Sequence, residues 1–311
     1  MPDRSMGIDV GGTKVLGVVA TNTGEVVREE RVPTPHGGEA ILDAIVEVVE
    51  AVRGDMDAPP IGVGMPGLVD HEGVLRFAPN LPGVTELPVR SELERRVPGA
   101  TVRVENDASC AGWGERMLGA AREHDDALLV TLGTGIGGGI ISAGRLLTGA
   151  HGFAGEIGHM VVNPHGPPCR CGQRGCWERY ASGSGLGRIG REAANAGQAD
   201  RVVELAGGDP EDVKGEHVTA AAAEGDAEAV EIFTRFAWWL ALGLANLANI
   251  YDPSVFVLGG GLVEAGPVLL EPTRAAFLDL VEGAAHRPVV EIVPAQLGER
   301  AGAIGAAALH W

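Results

Sequence analysis

The spacing of apolar positions changes repeatedly along the chain, and each change marks an element. Residues 6–19 form two short hydrophobic runs around Gly11-Gly12-Thr13, the pattern of two strands joined by a glycine turn. A third strand is predicted over 26–32, after the Asn22-Thr23-Gly24 turn. Apolar residues then fall at 41, 42, 45, 46, 48, 49 and 52, which is helical spacing. A strand over 61–65, a helix starting near Pro88 and a strand over 101–105 complete an α/β unit. Pro88 suits a first helical turn, where a missing N–H leaves no bond unmade.

The opening pattern returns further on. Residues 127–132 are hydrophobic, Gly133-Thr134-Gly135-Ile136-Gly137-Gly138-Gly139 turns, and Ile140-Ile141 begins an apolar return, as if one hairpin architecture occurred twice. Residues 193–250 read as helical; a strand (255–258), a helix (268–282), a strand (289–293) and a small-residue helix (299–309) follow. No polar linker divides the chain. The expected organisation is a smaller α/β lobe of residues 1–107 plus 295–311 and a larger α/β lobe of 108–294 that carries the cysteine loop.

Composition narrows the function. With 311 residues, 45% of them hydrophobic, the chain is long enough for about two domains. Its net charge of −18 repels phosphate backbones and anionic lipid heads, which argues against nucleic-acid and membrane-surface partners. The longest apolar run, 236–250, is interrupted by Asn246 and Asn249 and is shorter than the roughly 18 residues of a membrane span. The start of the chain runs into a strand without a secretory-type apolar stretch. Of four cysteines, Cys169, Cys171 and Cys176 crowd together and Cys110 stands apart, which suits a metal site in a reducing cytosol better than a disulfide framework.

Three groups of residues carry candidate chemistry. Gly133, Gly135 and Gly138 match G-x-G-x-x-G, but the β-branched residues that follow make a hairpin, and a dinucleotide site needs a helix there. Two Gly/Thr hairpins can instead hold a polyphosphate, through backbone N–H groups and the hydroxyls of Thr13 and Thr134. Asp9, just before the first loop, makes chemical sense as a magnesium partner. Asp107, following Glu105-Asn106, stands where a strand ends and a helix begins; the helix dipole is expected to keep it ionised. It reads either as an N-cap or as a base that accepts a proton from a hydroxyl attacking phosphorus. Finally, Cys169, Cys171, Cys176 and the upstream His159 form a Cys₃His set whose closed coordination makes Zn²⁺ structural. Glu156 and Glu178 flank these ligands, and the second ring nitrogen of His159 is left to donate, a set suited to the hydroxyls of a sugar ring.

Together, Asp9-Val10-Gly11-Gly12-Thr13-Lys14, Glu105-Asn106-Asp107, Gly155-Glu156-Ile157-Gly158-His159-Met160 and Cys169-x-Cys171-Gly172-x-x-Gly175-Cys176-Trp177-Glu178 resemble the ROK family of repressors, open reading frames and sugar kinases, and within it the bacterial ATP-dependent glucokinases. The resemblance implies an actin-like ATPase fold, two ribonuclease-H-like α/β lobes hinged around a cleft. It implies Asp107 as general base for the sugar 6-hydroxyl, and Gly67, Asn106, Asp107, Glu156, His159 and Glu178 as sugar contacts. ATP and Mg²⁺ would be held by Asp9, Gly11, Gly12, Thr13, Lys14, Gly133, Thr134 and Gly135. Gly259, Gly260 and Gly261 would pass under the adenosine. The family implies a homodimer or homotetramer. Rival readings are a kinase of mannose, fructose or N-acetylmannosamine, polyphosphate as donor, and a sugar-sensing repressor. For the repressor, the strand of Asp9 begins too near Met1 to leave room for a helix-turn-helix segment.

Overall fold

The computed structural model describes residues 3–57 and 60–311. It opens with β1 (Arg4–Val10), β2 (Lys14–Thr21), β3 (Val26–Pro33), α1 (Gly38–Arg53) and β4 (Pro60–Met65). Three short strands follow, β5 (Leu68–Val69), β6 (Leu75–Phe77) and β7 (Thr85–Leu87), then α2 (Val89–Arg96), β8 (Thr101–Asn106) and α3 (Asp107–Leu118). The middle of the chain holds β9 (Ala127–Leu132), β10 (Ile136–Ser142), β11 (Arg145–Leu146), α4 (Glu178–Ala181), α5 (Gly183–Asn195), α6 (Asp200–Leu205), α7 (Gly215–Ala223) and α8 (Ala227–Tyr251). It closes with β12 (Val255–Gly259), α9 (Pro267–Leu280), β13 (Glu291–Pro294) and α10 (Ala301–Ala308). The sheets are ordered β3-β2-β1-β4-β8, β11-β10-β9-β12-β13 and β5-β6-β7.

Contacts divide the chain into two compact units. The first holds the described residues up to Leu129 with Gly138–Gly155 and Ala295–Trp311; the second holds Val130–Gly137 and Glu156–Pro294. In the first unit β1, β4 and β8 run parallel, with Asp9 level with Gly64, Gly64 with Glu105, and Met65 with Asn106. The carboxyl ends of three neighbouring strands therefore align, the usual ligand position in open α/β sheets. Helix α1 buries Ile41, Leu42, Ile45, Val48, Val49 and Val52, the periodic face read from the sequence. Each such side chain contributes about 1.5–3 kcal/mol on removal from water.

The alanine- and glycine-rich α10 lies directly on backbone. A Cβ on Gly7 would stand 1.8 Å from the Ala303 carbonyl oxygen, and one on Gly62 equally close to that of Ala306. On the other side, a Cβ on Gly305 would meet the Cys110 carbonyl oxygen of α3 at 1.7 Å. Small residues thus let α10 sit against β1, β4 and α3 at backbone distance.

In the second unit, the apolar run around residues 236–250 is the core helix α8, burying Phe236, Leu240, Leu244 and Leu247 along one face. Trp177 is wholly buried against it, donating its indole N–H to the Trp239 carbonyl at 2.8 Å. Gly243 makes the room, since a Cβ there would lie 1.9 Å from the indole ring.

Several local expectations shift. The sheet β5-β6-β7 has strands of 2 or 3 residues, too short for a period to register. Pro88 stands at the N-cap of α2 and not within its first turn. Strand β10 begins at Ile136, so Gly137, Gly138 and Gly139 belong to a strand and only Gly133-Thr134-Gly135 forms the turn. The last helix starts at Ala301, after a 3₁₀ turn over Gly298–Arg300.

Candidate active site and metal cluster

At the strand ends of the first unit, Asn106 occupies the N-cap of α3. Its Oδ1 accepts the Ser109 N–H at 3.0 Å, while its Nδ2 donates to the Gly67 carbonyl at 3.2 Å. One side chain therefore closes the helix and tethers the loop after β4, where Gly67 turns with φ 105°. This sets aside the N-cap reading of Asp107. Asp107 is the first helical residue, not the cap, and its Oδ1 accepts the adjacent Ala108 N–H at 2.8 Å.

Burial acts against the expected dipole control. It pushes the Asp107 carboxyl above its ordinary value, against the lowering effect of the backbone N–H bonds. Asp9 is pushed up to about 7, first by burial and then by the charge of Asp107, with Lys14 opposing. Gly64 stands between the two acids: a Cβ there would lie 3.2 Å from the Asp107 Cα and 3.6 Å from Asp9 Oδ1. Beneath them Cys110 is buried, its thiol raised well above the usual value by burial and by Glu105, Asp9 and Asp107. Glu105 is pushed up to about 7 by burial, partly offset by His71 and Arg90.

The first glycine turn is held by its own backbone. Gly11 N–H donates to the Lys14 carbonyl at 2.9 Å and Thr34 Oγ1 to the Gly11 carbonyl at 2.7 Å. Gly12 and Thr13 remain exposed. Lys14 Nζ meets Glu299 Oε2 at 2.6 Å, a partner 285 residues away that no local motif indicates.

In the second unit the ligand atoms of His159, Cys169, Cys171 and Cys176 all lie within 4.8 Å of one another. Cys171 and Cys176 Sγ are 3.5 Å apart, and Cys169 Sγ is 3.7 Å from His159 Nδ1. A tetrahedral ion with bonds of about 2.3 Å to sulfur and 2.0–2.1 Å to nitrogen sets S···S and S···N edges of about 3.8 and 3.6 Å, so the donors fit one. Short antiparallel bridges, Val161 with Cys176 and Pro168 with Arg174, fold the loop so that the thiols converge. The buried neighbour Trp177 pins it to α8.

The cluster orients the acids beside it. His159 turns Nδ1 toward the cysteines and Nε2 toward Glu156 Oε2, 3.8 Å away. The second ring nitrogen thus already faces a carboxylate. Glu178 Oε1 accepts from the Cys169 thiol at 3.0 Å and lies 3.8 Å from His159 Nδ1. Burial holds the Cys169 and Cys176 thiols above their ordinary value. A bound cation reverses that, because it takes thiolates.

The second glycine turn docks on the start of α5. Gly183 N–H donates to the Gly133 carbonyl, and Ser184 Oγ to that of Thr134, both at 2.8 Å. A Cβ on Gly135 would stand 2.6 Å from Glu178 Oε2, so this glycine brings the turn against that acid. Gly260, with φ 85°, runs beside the end of β9: a Cβ there would lie 2.6 Å from the Leu132 carbonyl oxygen. The Gly133-Thr134-Gly135 and Gly259-Gly260-Gly261 segments are therefore neighbours.

The sequence-derived residues fall into two sets. Asp9, Gly11, Gly12, Thr13, Lys14, Gly67, Asn106 and Asp107 belong to the first unit; Gly133, Thr134, Gly135, Glu156, His159, Cys169, Cys171, Cys176, Glu178, Gly259, Gly260 and Gly261 belong to the second. The clearing role of Gly64 has no sequence signal, and Asn106 is legible as a cap only as one of two adjacent candidates.

Strand-end carboxylates, exposed glycine turns and a Cys₃His set flanked by acids occur together on a mixed α/β chain, the features of one class of protein. Comparison with known proteins gives the family: the ROK family model matches residues 5–311, and the chain belongs to that family, with its actin-like ATPase fold. It is 41% identical over 308 residues to the glucokinase of Streptomyces coelicolor, covering 98% of this chain and 96% of that one. It is 38% identical over 309 residues to the glucokinase of Thermotoga maritima, with the same coverage, 98% and 96%. Among solved structures, a ROK family glucokinase from Streptomyces griseus in complex with glucose and AMPPNP matches with a TM-score of 0.88 and 41% identity, covering 98% of each chain. No helix among the described residues is long and apolar enough to cross a membrane.

Proposed function

We propose that this chain is an ATP-dependent glucokinase that transfers the γ-phosphoryl group of ATP to the 6-hydroxyl of glucose, with Asp107 as general base. The observation that carries the reading is the division of labour at the start of α3. Asn106 takes the capping bond, which leaves the Asp107 carboxylate beside Asp9 with its proton affinity raised by burial. A base with raised proton affinity is the stronger acceptor, and such groups contribute about 10²–10⁴-fold to rate. The likeness to glucokinases, one of them bound to glucose and AMPPNP, supports the substrate pair.

In this reading Asp107 accepts the proton of the 6-hydroxyl as that oxygen bonds to the γ-phosphorus; the bond from phosphorus to the β,γ-bridging oxygen breaks and ADP leaves. In-line transfer of this kind depends chiefly on positioning and charge neutralisation. Asn106 and the Gly67 loop, Glu156, His159 and Glu178 take sugar hydroxyls. The exposed turns Gly11-Gly12-Thr13 and Gly133-Thr134-Gly135 offer N–H and hydroxyl donors to the phosphates, with Lys14 as a cation for them. The Gly259-Gly260-Gly261 segment takes the adenosine side. Asp9 is the acid suited to Mg²⁺, whose charge lowers the carboxyl raised by its surroundings.

His159, Cys169, Cys171 and Cys176 would hold Zn²⁺. Four protein donors would leave no position for water, so such an ion would be structural and would fix the imidazole whose other nitrogen faces Glu156. Three cysteines gathered in the metal set and a buried Cys110, none of them in a disulfide, suit a reducing cytosol. A coupled ADP-release assay over glucose, mannose, fructose and N-acetylmannosamine, with ATP and polyphosphate as donors, tests the assignment. The expected result is the highest kcat/KM for glucose with ATP; no turnover of any hexose overturns it.

A further inference from the structure

We infer that Glu115, a buried acid outside the site, is the positioning residue for the nucleotide end of that site, acting through the C-terminal segment on Asp9 and Lys14. The inference rests on the kinase reading for its meaning, though not for its test. Glu115 is wholly buried in α3. Its Oε1 accepts the N–H groups of Gln296 and Leu297 at 2.9 and 2.8 Å, and its Oε2 accepts that of Ala120 at 2.7 Å. The chain makes room for this carboxylate: a Cβ on Gly119 would stand 2.0 Å from Oε2. A carboxylate out of water is costly unless its lone pairs are met, and here backbone donors meet them from two segments far apart in sequence.

What Glu115 grips is the start of the strap that reaches the site. Two residues past Leu297, Glu299 holds Lys14 Nζ at 2.6 Å, and Arg300 holds Glu29 at 2.6 Å. The strap then enters α10, where Gly302 lies under Asp9: a Cβ at Gly302 would stand 2.7 Å from the Asp9 Cγ and 2.8 Å from Oδ2. Gly305 fixes the next turn of α10 on α3 at backbone distance. A slip of the strap therefore moves the support of Asp9 and the partner of Lys14 together. It does not move the sugar end, because Asn106 and Gly67 are joined by their own bond at the opposite end of α3.

The test is Glu115→Gln, read by calorimetric binding of glucose and of Mg-AMPPNP as well as by turnover. With one amide oxygen in place of two carboxylate oxygens, the side chain no longer accepts from both sides: Ala120, five residues away in the same turn, keeps the oxygen, and the strap N–H groups of Gln296 and Leu297 then face an amide N–H. The expected result is a folded protein whose glucose affinity stays within about twofold while its Mg-AMPPNP affinity falls by about tenfold or more, with the KM for ATP rising in parallel; misplacements near 1 Å cost up to about 10²-fold. A purely structural staple gives the opposite pattern: a lowered Tm with nucleotide affinity within twofold of wild type, or equal losses for sugar and nucleotide. Either result overturns the inference. Where Glu115→Gln does not fold, Leu297→Pro decides, since it removes one strap donor to Glu115 at a backbone φ of −86° and leaves Asp9, Lys14 and Glu115 in place; unchanged Mg-AMPPNP affinity there overturns the inference, and a tenfold loss with glucose affinity within twofold supports it. A wild-type protein that binds Mg-AMPPNP but phosphorylates no hexose sinks the kinase reading alone.

Discussion

Asp107→Asn is expected to make the protein nearly inert and, at alkaline pH, more stable. The change is isosteric, and the amide oxygen can still accept the Ala108 N–H that Oδ1 takes at 2.8 Å. Asp9 gives the scale. Its carboxyl stands at about 7 in the fold against 3.8 in the open chain, raised by burial and then by Asp107. Because the folded value is the higher one, the native state holds the proton more tightly. Stability from this group is therefore full at low pH and is lost as pH rises from about 4 through 7. Ionising Asp9 in the fold costs on the order of 4 kcal/mol above that window. The amide removes the like-charge part of that cost and the cost of keeping a charge on the half-buried Asp107. A gain of about 1–2 kcal/mol at pH 8 follows, or about 1.5–3 °C in Tm for a chain of this size, shrinking toward zero near pH 4. Scanning calorimetry at both pH values, without nucleotide or magnesium, reads the stability, and a coupled assay reads kcat. The loss of a general base predicts a fall of about 10²–10⁴-fold. More than a tenth of wild-type kcat refutes the base assignment, and a Tm at pH 8 no higher than wild type refutes the argument from buried like charges.

Glu105→Gln is expected to flatten the pH dependence of stability. With its carboxyl raised by burial to about 7 from 4.5, Glu105 withdraws on the order of 3 kcal/mol as pH rises through that window, and urea midpoints at pH 5 and 8 should show the variant losing less than wild type; identical losses sink the idea. Asn106→Asp keeps an N-cap acceptor, loses the donor to Gly67 and adds a carboxylate between Glu105 and Asp107, so stability at pH 8 should fall by about 1 kcal/mol or more while the glucose KM rises several-fold; an unchanged KM makes the Gly67 tether dispensable. Stripping the metal with a chelator, or Cys171→Ala, should raise the glucose KM by loosening His159. Lost zinc with an unchanged KM separates the cluster from the sugar site.

What was legible in the chain depended on how far apart the interacting residues lie. The cysteine loop announced itself because three cysteines and a histidine fall within one stretch, and the hairpin of β1 and β2 because both strands flank a single glycine turn. Asp107 was found by its place at a strand end, but whether it caps α3 turned on Asn106, an equally good cap one residue earlier, and local pattern cannot rank two such neighbours. The glycines of α10 read as a small-residue helix and nothing more. Their purpose lies in what they touch: Gly302 in Asp9, Gly305 in Cys110, Ala303 and Ala306 in the glycines of two strands, all remote in sequence. Glu115 is the extreme case. On a sequence it is one more glutamate on a helix, where a solvated surface is the ordinary expectation, and its partners Gln296 and Leu297 lie 181 and 182 residues away. A motif records the groups that meet substrate, because their chemistry restricts residue type at fixed spacing. The groups that hold those residues in place are recorded only in the packing, and the chain spends its least conspicuous residues, a buried acid and a run of glycines, on that task.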